Sequence, residues 1–378
     1  MKYILKELVN KIPVPSDKKT KQKEYLESGT LPIIDQGKKI IGGFSNQMEK
    51  QLICDLPVIV FGDHTCNVKY INFPFGAGAD GIKVFRPKNI VVSKYLYYGM
   101  QYLVFCLTDR GYGRHYQHLE KMSLNAPSIS KQEQIVKQIE ESLSQLDSAV
   151  ETLNKTKQQL KIYRQAVLKQ AFAKFNEFTT IRNATSLVTS GSRGWAKYYS
   201  TSGAAFIRIG NLNRYDISIS LDDLQCVKLP DHAEGVRSRL EPSDVLISIT
   251  ADLGSIGLVP YNIGEGYINQ HIALVRFQNK KQSRFLAWYL RSDIGQKELL
   301  KNKRGAGKLG LGLDDIRDSL IPVVDDTTAI EVVSKIEEKL VLCLNIEETV
   351  KQSLQQAEGL RQSVLKQAFN SSLTEINN

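Results

Sequence analysis

Two stretches of the chain carry a hydrophobic pattern unlike the rest. Across residues 131–175 and 327–372 apolar side chains return every three or four positions. They are Ile139, Leu143, Leu146, Val150, Leu153 and Leu160 in the first, and Ile336, Leu340, Cys343, Val350, Leu354, Ala357 and Val364 in the second. Such a heptad seam predicts long helices built to pair. The stretches hold no proline and one glycine, and they follow Ala126-Pro127 and Ile321-Pro322, where an extended chain gives way to helix. Roughly forty residues of helix reach about 65 Å at ~1.5 Å per residue, too long for an ordinary globular helix. Elsewhere the apolar runs are short and strand-like, as at 56–61, 245–249 and 273–277, and Gly, Pro and Asn turns interrupt them. The pattern predicts an α+β protein with mixed α/β globular units at 1–130 and 176–326, spacer helices at 131–175 and 327–372, and a tail at 373–378.

The halves are copies of one another. Arg164-Gln-Ala-Val-Leu-Lys-Gln-Ala-Phe172 recurs as Arg361-Gln-Ser-Val-Leu-Lys-Gln-Ala-Phe369, eight identities in nine at an offset of 197. At the same offset Val136, Ile139, Glu140, Glu141 and Leu143 fall on Val333, Ile336, Glu337, Glu338 and Leu340. Looser echoes precede them: Arg110-Gly-Tyr-Gly-Arg114 against Arg304-Gly-Ala-Gly-Lys308, and Tyr95-Leu-Tyr-Tyr98 against Phe285-Leu-Ala-Trp288. A tandem duplication of this length is no solenoid repeat and implies pseudo-two-fold symmetry. Placed antiparallel, the two seams stack Leu146 on Leu354, Val150 on Val350 and Leu160 on Leu340. Each seam is broken once, at Lys157 and at Glu347. These opposite charges then occupy neighbouring layers and are expected to pair and fix the register of an antiparallel coiled coil. The alternative is that both side chains reach out to water. The pattern leaves open whether the helices close within one chain or between chains.

Fifty Lys and Arg against forty Asp and Glu give a net charge of +10 and a pI near 9.1. The surplus points to an anionic partner, nucleic acid first and an acidic membrane second, with a merely soluble basic protein as the plain alternative. Most of the surplus lies on the first globular unit, at +7, with +3, +2 and −2 on the segments that follow. The N-terminus is charged within seven residues and makes a poor signal peptide, and the longest uncharged apolar run, 95–108, is too short to span a bilayer. Five scattered cysteines without a C-x-x-C pair fit a reducing cytoplasm. Zinc is not expected, because His115-x-x-His118 lacks a second ligand pair.

No catalytic constellation emerges. Gly305-Ala-Gly-Lys308-Leu309 lacks the first glycine and the Ser/Thr of a phosphate loop. Asn72-Phe-Pro-Phe75 resembles a base-gripping methyltransferase motif, yet its second residue is Phe and no cofactor-binding glycine motif accompanies it. Pro230-Asp231 has no acid-x-Lys partner, there is no Gly-x-Ser-x-Gly, and His232, like the other four histidines, has no evident nucleophile beside it. The chain is therefore expected to do no chemistry itself and to bind no cofactor or metal.

The combination resembles the specificity subunit of type I restriction-modification systems. In the first unit the matching motifs are Val58-Ile-Val-Phe-Gly-Asp-His-Thr65 and Gly78-Ala-Asp-Gly-Ile-Lys83. In the second they are Ser190-Gly-Ser-Arg-Gly-Trp-Ala-Lys-Tyr-Tyr199, Phe206-Ile-Arg-Ile-Gly-Asn-Leu212, Asp244-Val-Leu-Ile247 and Asn269-Gln-His271. The duplicated helix end is similar to the family's spacers. The resemblance implies that each globular unit is a target-recognition domain for one half of a split DNA site, with the helices as a spacer. Modification subunits, expected as two, would dock on the helices and methylate adenine with S-adenosylmethionine. A restriction subunit using ATP and Mg would join where one is present. The first unit begins almost at Met1, which implies an abbreviated N-terminal element.

Base edges are read by paired hydrogen bonds, while Lys and Arg hold phosphates. On that chemistry the DNA-binding candidates of the first unit are Lys38, Lys39, Asp63, His64, Lys69, Arg114 and His115. Those of the second are Arg193, Trp195, Lys197, Tyr198, Arg208, Asn211, Asn269, Gln270, Arg304 and Lys308. Each has a structural alternative: Asn211 as a turn cap, Gln270 as a partner for a strand. The run Lys18, Lys19, Lys21, Lys23 is expected as a solvated loop. A stand-alone DNA-binding regulator or architectural protein is the competing reading.

Overall fold

A computed structural model describes residues 1–79, 81–107, 113–230, 236–303 and 310–374. The chain forms two compact units, Met1–Asn154 with the segment from Lys351 on, and Lys155–Val350. The first holds β1 (Lys2–Ile4), α1 (Leu5–Leu8), β2 (Val9–Ile12), β3 (Lys19–Thr20), β4 (Leu31–Ile34), β5 (Gly43–Ser45), β6 (Val58–Gly62), β7 (Val68–Ile71), β8 (Gly76–Gly78), β9 (Ile82–Pro87), α2 (Ser93–Phe105), α3 (Tyr116–Leu119), β10 (Ser123–Asn125) and the start of α4 (Ile129–Phe172). The second takes the rest of α4, then β11 (Phe178–Thr180), α5 (Ile181–Ala184), β12 (Thr185–Ser190), β13 (Tyr199–Ser200), β14 (Ala204–Ile207), β15 (Gln225–Val227), β16 (Val245–Ser248), β17 (Ile256–Leu258), β18 (Gly266–Ile268) and β19 (Ile272–Phe277). It continues through α6 (Ser283–Arg291), α7 (Asp293–Leu299), α8 (Leu313–Arg317) and β20 (Leu320–Pro322) into α9 (Asp326–Thr374), whose end returns to the first unit.

The centre of the first unit is β6, buried along its whole length. Its side chains alternate across the sheet. Ile59 and Phe61 meet Phe85, Tyr95, Leu96 and Met100 beneath α2, while Val58 and Val60 join Ile34, Ile71, Phe75 and Val84. Both faces of the strand are apolar, so the sheet β2-β9-β6-β7 is covered by α2 on one side and by the sheet β3-β8-β4-β5 on the other. The second unit repeats this logic. Val245 and Ile247 of β16 pack with Phe285 and Leu286 of α6, and Leu246 packs with Ile207 and Ile268.

The duplication is visible strand by strand. Order β2-β9-β6-β7 recurs as β12-β19-β16-β17, and the ribbon β1-β10 recurs as β11-β20. The strand and helix at 2–8 thus have a counterpart at 178–184. The parallel pair β4·β8 with hairpin β4·β5 returns as β14·β18 with β14·β15. Only the edge strand differs: β3 lies parallel beside β8, whereas β13 lies antiparallel beside β15. The lysine run is drawn into this edge. Lys19 belongs to β3 and Lys18 donates to the Glu49 carbonyl, leaving Lys21 and Lys23 exposed. A short backbone pairing was missed where charge alone suggested a loop.

The long helices run antiparallel within each unit. In the first, Ile135, Val136, Ile139 and Leu143 of α4 share a core with Leu365 and Phe369 of α9. In the second, Leu168 and Phe172 of α4 share one with Val332, Ile336 and Leu340 of α9. The repeated nonapeptide is explained by its end. Phe172 meets Phe285 and Tyr289 edge-on at 5.3 and 5.5 Å, and Phe369 meets Tyr95 at 5.0 Å and stacks on Tyr102 at 5.5 Å.

The expected Lys157–Glu347 pair does not form. Lys157 is exposed, and Glu347 accepts from Arg164 at 2.9 Å. Arg361, the repeat counterpart of Arg164, pairs with Asp147 in the first unit. A guanidinium is more weakly hydrated than an ammonium and presents a planar fork, so arginine takes the half-buried position and lysine stays in water. Reversing charge in Arg164→Glu or in Glu347→Arg should each cost about 1–3 kcal/mol in urea unfolding. The double reversal should recover most of it, and Lys157→Glu should stay within ~0.5 kcal/mol.

Candidate nucleic-acid interface

In the first unit four connections are tied together at one end of the central sheet. The β4–β5 loop, residues 35–42, carries Lys38 and Lys39, both exposed. Its Gln36 carbonyl accepts from Thr65 Oγ1 at 2.5 Å and from Asn67 Nδ2 at 2.8 Å, which docks it on the β6–β7 turn. In that turn Cys66 has a positive φ of 56°. Gly42 permits the close packing, because a Cβ there would stand 2.4 Å from the Asp35 carboxylate. The Asp63 amide donates to the Gly81 carbonyl at 2.6 Å, and its own carbonyl accepts from the His115 amide at 2.9 Å. His64 Nδ1 lies 3.1 Å from the Gly113 carbonyl. The outcome is a basic cluster in which Lys38, Lys39 and Arg114 are exposed and His64 and His115 half-exposed.

Two candidates from this unit are interior groups. Asp63 is 3% exposed; its carboxylate accepts from the Tyr116 amide at 2.9 Å, at the start of α3, and lies 3.5 Å from Lys83 Nζ. Lys69 is 5% exposed, with its ammonium 3.3 Å from both Asp35 Oδ1 and the Ile40 carbonyl. Burial pulls that ammonium below the usual lysine range, against the Asp35 charge. The sequence placed both residues on DNA, but β7 alternates, and Lys69 shares the inner face with Ile71.

The second unit builds the corresponding end with different chemistry. Beyond β16, Thr250 Oγ1 and His271 Nδ1 are 2.7 Å apart, and Gln270 Nε2 lies 2.9 Å from His271 Nε2. The Leu311 amide donates to the Ile249 carbonyl, as His115 does to Asp63. The 191–199 segment crosses the β18–β19 turn so closely that a Cβ on Gly191 would meet the Ile268 carbonyl at 2.0 Å. Arg193 and Lys197 are exposed on it, and the Lys197 ammonium sits 4.9 Å from the centre of the half-buried Tyr198 ring.

Trp195, by contrast, is a core residue. It stacks on Phe206 at 5.4 Å and meets Tyr267 edge-on, since its large apolar surface favours the interior over solvent. Asn211 is 5% exposed and caps its turn: Oδ1 accepts from the Arg208 amide at 2.9 Å, and Nδ2 donates to the Ser220 carbonyl at 3.1 Å. Asn269 Oδ1 accepts from the His271 amide, holding the half-buried Asn269-Gln270 turn. Arg208 is half-buried. Arg304 and Lys308, with Asp231 and His232, lie outside the described residues. Sequence reasoning passed over Lys83, Thr250 and Arg214, the last paired with Asp252 at 2.7 Å. Their signal was position, beside the turn that follows the buried central strand of each copy.

The exposed groups are donors and cations suited to phosphates and base edges. Among the described residues no group of three or more His, Cys, Asp or Glu could hold a metal ion, and no helix is long and apolar enough to cross a membrane.

The sequence matches the family described as type I restriction modification DNA specificity domain over residues 1–162 and 237–356. It is similar to the specificity subunit of the type I restriction enzyme EcoBI of Escherichia coli, 24% identical over 289 residues, covering 68% of this chain and 59% of that one. The corresponding subunit of StySPI from Salmonella potsdam is 26% identical over 272 residues, 67% and 58% of the two chains. The alignments thus span less than two thirds of these relatives' length. A chain solved in work on complex assembly and conformational transition of the type I R-M system superposes with a TM-score of 0.70 at 13% identity, over 98% of this chain and 97% of that one, a likeness of fold.

Trp195→Ala should cost about 3–5 kcal/mol in denaturant unfolding, as truncation of a core aromatic does. Arg193→Ala, two residues away, should stay within ~0.5 kcal/mol.

Proposed function

This chain belongs to the type I restriction modification DNA specificity family, and on that premise we propose that it is the non-catalytic DNA-specificity subunit of a type I restriction-modification complex acting in the cytoplasm. Each globular unit reads one half of a bipartite, gapped site in double-stranded DNA, and the helix pair sets the gap. The observation that carries the reading is the duplicated tied end: in both copies a basic, donor-rich loop cluster closes over the turn after the buried central strand. Rigid sheets present the loops, and cations on them supply the phosphate attraction that precedes base readout.

Modification subunits, two per chain, dock along the helices and methylate adenine; they bring S-adenosylmethionine, and a restriction subunit, where present, brings ATP- and Mg-dependent activity. A second duplicated feature supports two docking positions. Lys94 reaches Glu140 of α4 at 2.6 Å with the Tyr98 hydroxyl 3.5 Å from the same oxygen. In the other unit Arg284 reaches Glu337 of α9 at 2.5 Å, with Trp288 Nε1 donating at 2.9 Å. Lys94 and Glu140 line an open cleft of 710 Å³ against α4 in the first unit, and Arg284, Trp288 and Glu337 line one of 580 Å³ in the second.

The test is the genomic N6-methyladenine pattern of a host expressing the modification partner, with and without this gene. A split, gapped methylated motif that vanishes with the gene is expected. An unchanged pattern with the partner shown to be active rejects the role and leaves a stand-alone DNA-binding protein.

A further inference from the structure

A lysine at a core-facing position of a central sheet needs a reason, because burying an ammonium is costly and a methionine would fill the space. Lys69 stands on the inner face of β7 beside fully buried Ile71, and it is among the few buried charged side chains of the first unit. Its ammonium touches two acceptors five residues apart on one loop: Asp35 Oδ1, at the loop's start, and the Ile40 carbonyl, near its end, each at 3.3 Å. Between them lie the exposed Lys38 and Lys39. Asp35 also accepts from the Gly37 amide at 2.9 Å, and the Gly42 amide donates to the Ile33 carbonyl at 2.9 Å, so the loop is closed at its base and stapled across its middle. Thr65 and Asn67 bind the same loop to the turn that carries His64.

We propose that Lys69 is a positioning residue for base readout by the first unit: it touches no DNA, and by stapling residue 35 to residue 40 it sets where Lys38 and Lys39 stand relative to the β6–β7 turn. This rests on the reading of the unit as a DNA reader and names the group on which its specificity depends. An unstapled loop of eight residues keeps its cations and its general attraction to phosphate. It loses the fixed phosphate register that holds the neighbouring reading groups against the right base edges.

The experiment uses the full chain with its modification subunit, and duplexes substituted singly in either half of the methylated site. Lys69→Met should lower discrimination against wrong bases by about tenfold in one half-site and leave the other within about twofold. In a Lys38→Ala/Lys39→Ala background the further effect of Lys69→Met should disappear, because it acts through those residues; a direct DNA contact would add its own loss. Asp35→Asn with Lys69→Met removes the buried charge together with its counter-charge. That pair should recover the melting temperature without recovering discrimination, and it serves in the same assays if Lys69→Met alone does not fold. Unchanged discrimination in the folded variant, equal losses in both half-sites, or additivity with Lys38 and Lys39 would each overturn the proposal. A wild-type complex with no gapped site at all would instead overturn the reading beneath it.

Discussion

Burial of one phenylalanine at the end of each long helix is the constraint on which the rest of the fold depends. The helix seam is uneven: Leu143, Leu160, Leu340, Cys343 and Val350 are buried, but Leu146, Val150, Leu153 and Leu354 are only half-buried, and Lys157 stands in water. Pairing of that kind holds two helices together weakly without further anchors. The anchors are Phe172, 2% exposed among Phe285 and Tyr289, and Phe369, 3% exposed between Tyr95 and Tyr102. One fastens α4 to the core of the second unit, the other fastens α9 to the core of the first. Because each helix is shared by the units, the chain must return on itself, and the antiparallel arrangement follows from connectivity as much as from the seam. This is why the nonapeptide ending in phenylalanine is the best preserved stretch between the copies.

The same central strand that makes the core also creates the polar problem at its end. A strand buried on both faces delivers its following turn into crowded surroundings, and every amide there needs a partner. The first unit answers with charge: Asp63 on an amide and Lys83, Lys69 on Asp35 and a carbonyl. The second answers mostly with neutral groups, Thr250 on His271 and Ser248 on the Ser255 amide, with an ion pair, Arg214–Asp252, left toward solvent. Deleting one member of a buried charged pair leaves the other uncompensated, whereas a neutral hydrogen bond is lost at smaller cost. The two sheet ends therefore share an architecture and differ in what each tolerates.

The helices, the duplication and their antiparallel sense were legible in the sequence, because a heptad period and a repeated nonapeptide are one-dimensional signals. The partner of Glu347 was not, since an exposed lysine and a half-buried arginine look alike until the surface is known. Which of the candidate side chains face solvent was not legible residue by residue. Lys38, Lys39, Arg114, Arg193 and Lys197 are presented to solvent, but Asp63, Lys69, Trp195 and Asn211 are turned inward to hold the loops. Residue type cannot separate a reader from a brace when both are polar and adjacent. For Lys69 the alternation with Ile71 carried the information, and the basic charge obscured it.

Divergence between the copies follows the same physics. The central strands β6 and β9, with their counterparts β16 and β19, have neighbours on both edges and cores on both faces, so any change of their pairing would break two ladders, and their edge neighbours β2 and β7 kept their places as β12 and β17. The strand that moved, β3 in one unit and β13 in the other, has a single neighbour and only two residues, and its relocation costs a few hydrogen bonds. The family match runs through the first unit and resumes at residue 237, leaving out 163–236, where β13 and the segment from Arg193 to Asn211 lie. Between the two copies the one strand that changed place lies at an edge, where it can move without renegotiating the core. The two copies share one means of attachment, the phenylalanine that ends each repeated nonapeptide.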